Sequence, residues 1–232
     1  VRVSDQPAFI LHRRDFRDSS LILDVFTLHH GRLSLLAKGA RKRRDSSVYQ
    51  PFNRLSLGWT GASDLKTLTA IDAVAMPLAA DCYLAAYYVN ELLLYLMPVQ
   101  DPNAAVFQAY QNLLLSINST GLESSLREFE MDLLNSLGLM PDLMRTSQDN
   151  ATVDAHRFYR VDCENGVVPS AADDAQAFAG EVLLKIEQRQ FDDENSRRAA
   201  RRLMRQIIDF NLHGRTLQSR KLYQQMHASR HT

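Results

Sequence analysis

Seven consecutive residues, Lys38-Gly39-Ala40-Arg41-Lys42-Arg43-Arg44, place five cations on one short segment. Each Lys or Arg that neutralises a phosphate releases condensed counterion, so such a segment has the chemistry to track a nucleic-acid backbone. A solvated linker that keeps the protein soluble would carry the same residues. Tyr49, Phe52 and Trp59 follow closely. They either stack bases, as aromatics do in single-strand binders, or fill a core.

A second basic group is constrained by helical geometry. With Arg197 at 0° and steps of about 100° per residue, Arg201, Arg205, Arg198 and Arg202 fall at about 40°, 80°, 100° and 140°. Ala199, Leu203, Ile207, Ala200 and Met204 occupy the opposite side, which suits docking on a core. An ordinary solvated face mixes signs, whereas this one holds five Arg and no acid. Nucleic acid or an acidic protein segment would match it. Asp192, Asp193 and Glu194 precede the arginines, where they complement the helix dipole and supply a cap.

Arg127 is the third candidate, at the edge of a stripe of Leu126, Phe129, Leu133, Leu134 and Leu137. An Arg beside an apolar groove grips a chain-terminal carboxylate while the groove takes the last side chain. Alternatively it pairs within its own helix, with Glu123 or Glu130. Phosphate-loop, dinucleotide, nucleophile-elbow and H-E-x-x-H zinc signatures are all missing. His156 and Cys163 fall short of the four ligands of a structural zinc site. The expectation is a protein with no catalytic residues, no cofactor and no metal.

The formal charge is zero, with 27 Lys/Arg against 27 Asp/Glu. That zero is a cancellation: residues 1–80 hold 12 cations against 7 acids, residues 81–180 hold 4 against 14, and residues 181–232 hold 11 against 6. Basic ends around an acidic middle point to polyanionic or acidic partners. Two cysteines make no disulfide framework, which fits a reducing compartment. Val1-Arg2-Val3-Ser4-Asp5 has no apolar signal core. The apolar stretch from Cys82 to Met97 is broken by Asn90-Glu91 and falls short of the roughly 20 residues a bilayer span needs. A cytoplasmic protein with no membrane partner is expected.

Short β-rich runs at Ala8–Leu11, Leu21–Thr27, Arg32–Lys38, Arg54–Trp59 and Lys66–Val74 predict five strands, enough for a small barrel. An OB-fold, whose exposed strands and loops bind oligonucleotides, and an SH3-like barrel both suit the pattern. After Met76-Pro77 the period changes to about 3.6 residues. Asp81–Met97 reads as an almost wholly apolar helix for the centre of a bundle. Further helices are expected at Asn103–Ile117, after a capping box at Thr120 to Glu123, and at Ala175–Glu187, Glu194–Leu212 and Ser219–His227. His156–Val161 and Gly166–Pro169 flank an Asn165-Gly166 turn and predict an inserted hairpin. The fold class is therefore α+β. Residues 1–79 form a five-stranded domain and residues 80–232 a helical one, with the hairpin insertion at about 145–170.

Ala8-Phe9-Ile10-Leu11-His12, Ser20 to Thr27, Gly31-Arg32 and Lys38-Gly39-Ala40-Arg41 resemble the N-terminal pattern of the bacterial RecO family. Tyr88 to Leu93, Leu126-Arg127-Glu128-Phe129-Glu130 and Ser219-Arg220-Lys221-Leu222-Tyr223 extend the resemblance over nearly the whole chain. It implies an N-terminal OB-fold and a recombination mediator, located in the cytoplasm with the nucleoid. Such a mediator binds single- and double-stranded DNA, anneals complementary strands, associates with RecR and helps load RecA onto DNA coated by single-strand-binding protein, SSB. It also implies DNA contacts at Lys38 and Arg41 to Arg44 and an anchor for the acidic SSB tail at Arg127; Arg197, Arg198, Arg201, Arg202 and Arg205 remain a further DNA-binding candidate from helical geometry alone. Many members carry a four-cysteine zinc site, for which residues 145–170 offer only Cys163. An OB-fold adaptor that binds RNA in transcription or translation is the alternative reading of the residues.

Overall fold

The computed structural model describes residues 2–118 and 121–228. Among these, the first compact unit comprises residues 2–118 with 217–228, and the second residues 121–216. The first unit is built on a closed barrel of β1 (Arg2–Phe16), β2 (Ser20–Thr27), β3 (Gly31–Ala37), β4 (Arg54–Thr60) and β5 (Leu65–Val74), in the order β1-β2-β3-β5-β4. β1 pairs antiparallel with both β2 and β4, and a parallel pairing of β3 with β5 completes the order. This is OB-fold topology, which separates it from the SH3-like alternative. β1 is far longer than the Ala8–Leu11 run. Register shifts between Val3 and Gln6 and between Ile10 and His12 bend it so that its two ends serve two neighbours.

Strand periodicity explains the barrel interior. β3 alternates buried and half-buried residues along its whole length, and Ile10, Leu23, Val25, Leu35, Leu57 and Trp59 fill the core. Ala8 to Leu11 are all buried, because the outer face is also covered. Phe9 packs on Phe107 and Tyr110 at 5.4 and 5.0 Å, and Phe26 on Phe107 at 5.4 Å. Those partners belong to α2 (Ala104–Ser116). Gly31, at φ +65°, admits this packing: a Cβ there would meet the Asp101 carbonyl oxygen at 2.3 Å.

The apolar helix is not at the centre of a bundle. α1 (Tyr83–Leu96) packs on β1 and on α6 (Gln218–Ala228), burying Ala86, Val89, Leu92 and Leu93. Tyr83, Tyr87 and Tyr95 remain exposed. Tyrosine counts as apolar in a periodicity reading, yet its hydroxyl is at ease in water. Asn90 is buried here. Its Nδ2 donates to the Leu11 carbonyl (2.8 Å) and its Oδ1 accepts from the Tyr110 hydroxyl (2.6 Å). One side chain thus ties α1 and α2 to the irregular stretch of β1. The Glu91 carboxylate accepts the backbone N–H groups of Gln218 and Ser219 (2.8 and 2.9 Å), satisfying orphan donors at the start of α6.

The second unit holds α3 (Leu122–Ser136), α4 (Gly180–Glu187) and α5 (Glu194–Asn211). It also holds a small sheet in the order β7-β6-β8, from β6 (Phe158–Asp162), β7 (Gly166–Ser170) and β8 (Phe178–Ala179). The Asn-Gly hairpin forms as expected, with Asp162 Oδ1 accepting the N–H groups of Glu164 and Asn165 (2.9 and 2.8 Å). Thr120 of the expected capping box lies outside the described residues. The helix expected from Ala175 begins instead at Gly180. Arg202 takes the carbonyls of Ala175 and Ala177, and its guanidinium lies 3.8 Å from the Phe178 ring centroid, so residues 175–179 spend their backbone on a turn and β8. No helix of the described residues is long and apolar enough to cross a membrane.

Candidate nucleic-acid interface

The basic segment leaves β3 at one end of the barrel. Gly39 turns the chain at φ +67°, and Ala40 is wholly buried, pinning a short 3-10 turn at Ala40–Lys42. The Arg41 N–H donates to the Ser19 carbonyl at 2.9 Å, which seats the segment against the β1–β2 hairpin. Lys38 and Arg41 to Arg44 are all exposed. Arg41 reaches Asp15 at 3.3 Å, and Arg43 donates to the Tyr49 hydroxyl at 3.3 Å. The side chains of Lys38, Lys42 and Arg44 make no ion pair or hydrogen bond among the described residues and face solvent.

Pairing of Arg13 with Leu23 and of Phe16 with Ser20 brings Arg13, Arg14 and Arg17, all exposed, to the same end of the barrel. The combined rim carries eight cations against Asp15, Asp18 and Asp45. The charges of the hairpin are plain in the sequence. Their neighbourhood with residues 38–44 is not, since it is created by strand register. The stacking aromatics resolve differently: Tyr49, Phe52 and Trp59 are buried, Tyr49 and Trp59 in the barrel core.

On α5 the helical face is as expected, with Ala200, Leu203, Met204 and Ile207 buried. The five arginines, however, all meet protein partners. Arg197 donates to the carbonyls of Phe191 and Asp192 (3.1 and 2.8 Å) and pairs with Glu194. Arg198 also pairs with Glu194, Arg205 pairs with Asp209 at 3.5 Å, and Arg201 pairs with Glu123 of α3. Arg202 is occupied at residues 175–178, as described. The side chains of Arg198, Arg201 and Arg205 remain mostly exposed.

Asp193 caps α5, its carboxylate accepting the Ser196 N–H (2.8 Å) and hydroxyl (2.7 Å). These bonds, with Lys185 adding attraction, hold its pKa down at about 2. Because the folded value lies below the ordinary carboxylate value near 3.9, the cap's contribution is fully present above about pH 4 and lost as pH falls through about 2. Asp193→Asn keeps a capping oxygen but does not titrate. In acid titrations followed by circular dichroism it should remove part of the helix loss between pH 4 and 2. An unchanged acid limb would exclude the cap as its source.

Arg127 sits on α3 with 8% of its surface exposed, and its Nη2 contacts Glu130 Oε1 at 2.8 Å. The internal pair read from the spacing is therefore made, with Glu130 rather than Glu123. Arg127 Nε finds no acceptor among the described residues.

A four-cysteine zinc site does not fit this chain. Cys163 Sγ has the Gln206 carbonyl as its polar neighbour, at 3.9 Å, and burial pushes its thiol pKa up, away from the thiolate a metal requires. No three ligating side chains converge among the described residues. Hydrogen bonds close the corresponding loop instead: Thr146 N–H to the Ala151 carbonyl and Val153 N–H to the Met144 carbonyl, both 2.9 Å.

Residues 2–77 match the family described as recombination protein O N terminal, and residues 79–221 match recombination protein O C terminal. The chain belongs to the RecO family. It is 38% identical over 227 residues to the DNA repair protein RecO of Methylococcus capsulatus, covering 96% of this chain and 93% of that protein. The RecO protein of Haemophilus influenzae is 40% identical, with 95% of each chain covered. That of Marinobacter nauticus is 34% identical over 95% of this chain and 94% of its own. Within this RecO-family chain the two matched regions meet at residues 77–79, where the barrel ends and the helices begin. The compact units divide elsewhere, because α1 and α2 pack on the barrel and α6 packs on α1.

Proposed function

We propose that this RecO-family protein is a DNA-repair mediator that works without catalytic residues. In this reading it binds single- and double-stranded DNA on the basic rim, anneals complementary strands and, with RecR, helps load RecA onto SSB-coated single strands. The observation that carries the reading is the rim: eight exposed cations at one end of an OB-fold barrel, among which the side chains of Lys38, Lys42 and Arg44 make no ion pair or hydrogen bond among the described residues. Two strands neutralised on one such surface repel each other less, so base pairing nucleates without a general acid, a nucleophile or a bound cofactor. On α5, Arg198, Arg201 and Arg205 form a second, weaker DNA contact in this scheme, because a phosphate must there compete with Glu194, Glu123 and Asp209. Arg197 and Arg202, whose donors hold backbone carbonyls, contribute little. Arg127 is the proposed anchor for the SSB tail in this scheme; its Nε has no acceptor among the described residues but is buried, so docking requires the side chains covering it to move aside.

Annealing of complementary oligonucleotides, with and without SSB, tests the proposal. Wild-type protein should accelerate DNA annealing under both conditions, and the Lys38/Arg41/Lys42/Arg43/Arg44→Ala variant should lose most of that acceleration. Equal rates with and without wild-type protein would refute the reading. A marked preference for RNA strands would instead favour an RNA-binding adaptor.

A further inference from the structure

The basic rim supplies charge, and the aromatics nearest to it in sequence are buried. Base-stacking surface is found elsewhere, on α1. Tyr83 and Tyr87 are 43% and 45% exposed, and neither hydroxyl is hydrogen-bonded among the described residues. Both rings pack edge-on against Phe52, with centroids at 6.0 and 5.0 Å. Phe52 is itself held at φ +70°, a conformation a bulky side chain rarely adopts and keeps only where its surroundings dictate it. The three rings form one wall of an open groove of about 470 Å³, whose other side includes Ser47, Gln50 and Asn53.

This groove begins where the basic segment ends. Asp45, which lines its mouth, directly follows Arg44. Arg43 is fastened to Tyr49, between Asp45 and Phe52 in the chain. A strand whose phosphates follow Lys42 to Arg44 would thus reach the tyrosines within a few nucleotides. We infer that Tyr83 and Tyr87 form a stacking platform for the bases of single-stranded nucleic acid leaving the basic rim. Charge complementarity selects this occupant: an apolar wall flanked by a run of cations matches bases joined by phosphates. Asp45, which lines the groove, discourages the phosphates themselves from entering. Geometry adds a preference for single strands. Residues four apart on a helix are displaced by about 6 Å along its axis, whereas bases along a duplex strand step by about 3.4 Å. Neighbouring bases therefore meet both tyrosines only when the strand is unstacked and extended.

The inference rests on the proposed DNA binding at the rim, and the experiment separates the two. Affinities of the full-length protein are measured for an ordinary single-stranded oligonucleotide and for one of equal length and charge whose central nucleotides are abasic. Stacking on an aromatic adds about 1–3 kcal/mol per base, so wild type should prefer the ordinary strand by at least about fivefold. Quenching of 2-aminopurine in that strand should accompany binding. Tyr83→Ala/Tyr87→Ala should lose the preference while keeping affinity for the abasic strand. Tyr83→Phe/Tyr87→Phe, which keeps both rings and their packing on Phe52, should retain it. Equal affinity of wild type for the two strands would overturn the platform and leave the rim intact. Preference surviving in the double Ala variant would also overturn it, returning the patch to a protein partner. Failure to bind either strand would overturn the rim as well.

Discussion

Replacing Lys38, Arg41, Lys42, Arg43 and Arg44 together by Ala is expected to reduce the salt dependence of single-strand binding by about 2 to 3.5 in the slope of log Kobs against log salt, at about 0.7 per neutralised phosphate. The lower figure counts Lys38, Lys42 and Arg44, whose side chains have no ion-pair or hydrogen-bond partner among the described residues to surrender. The upper figure requires DNA to draw Arg41 from Asp15 and Arg43 from the Tyr49 hydroxyl. An exposed pair such as Arg41–Asp15 contributes at most about 1 kcal/mol, so the displacement is cheap relative to a phosphate contact. Relative to 1 M salt, this change in slope corresponds at 0.1 M to about 10²- to 3 × 10³-fold in affinity. The substitutions leave the segment in place, since Ala40 stays buried and the Arg41 backbone still bonds Ser19. Binding titrations across a salt series measure the slope directly. A slope equal to wild type would remove these residues from the interface. Adding Arg13, Arg14 and Arg17 to the variant should lower it further, by about 2 for three more contacts.

The difference between those two sets of cations shows what a sequence carries and what it leaves to folding. Lys38 to Arg44 are legible because they are contiguous and follow a strand. Arg13, Arg14 and Arg17 join them only through hairpin register, which no local pattern specifies. Strands two to five follow from alternation and Gly punctuation. The ends of β1 do not, because Arg2 to Gln6 and His12 to Phe16 are mostly polar and become strand only by pairing across β-bulges. On α5 the 3.6-residue period identifies the buried face correctly. It cannot reveal that Glu123, 78 residues earlier, comes to lie against Arg201. Ala175 to Ala179 look helical on propensity alone, and a tertiary contact with Arg202 overrides it. Tyr83 and Tyr87 illustrate the same limit: apolar in a hydropathy count, they are placed at the surface by the Ala86/Val89/Leu93 face opposite.

The buried Arg127–Glu130 pair supports the second large effect. Glu130 is wholly inaccessible and Arg127 nearly so. Removing one partner of such a pair strips a buried charge of its counter-charge and costs about 3–5 kcal/mol, whereas replacing both partners by apolar residues of similar volume is often neutral or stabilising. Arg127→Ala should therefore lower the urea midpoint of the full chain substantially, and Arg127→Met/Glu130→Leu should recover most of that loss. The double variant also disentangles stability from recognition. An Arg127→Ala protein that fails to bind an acidic SSB-tail peptide could simply be unfolded, while the double variant presents a folded α3 without the guanidinium. Arg127 has five donors and commits Nη2 to Glu130; its Nε lacks an acceptor among the described residues but is itself buried, so a terminal carboxylate reaches that edge only after the side chains covering it move aside. If that edge is the anchor, tail affinity in the folded double variant falls at least tenfold while DNA affinity at the basic rim is unchanged. Undiminished tail binding would confine Arg127 to its pairing with Glu130 and place the tail elsewhere on the protein.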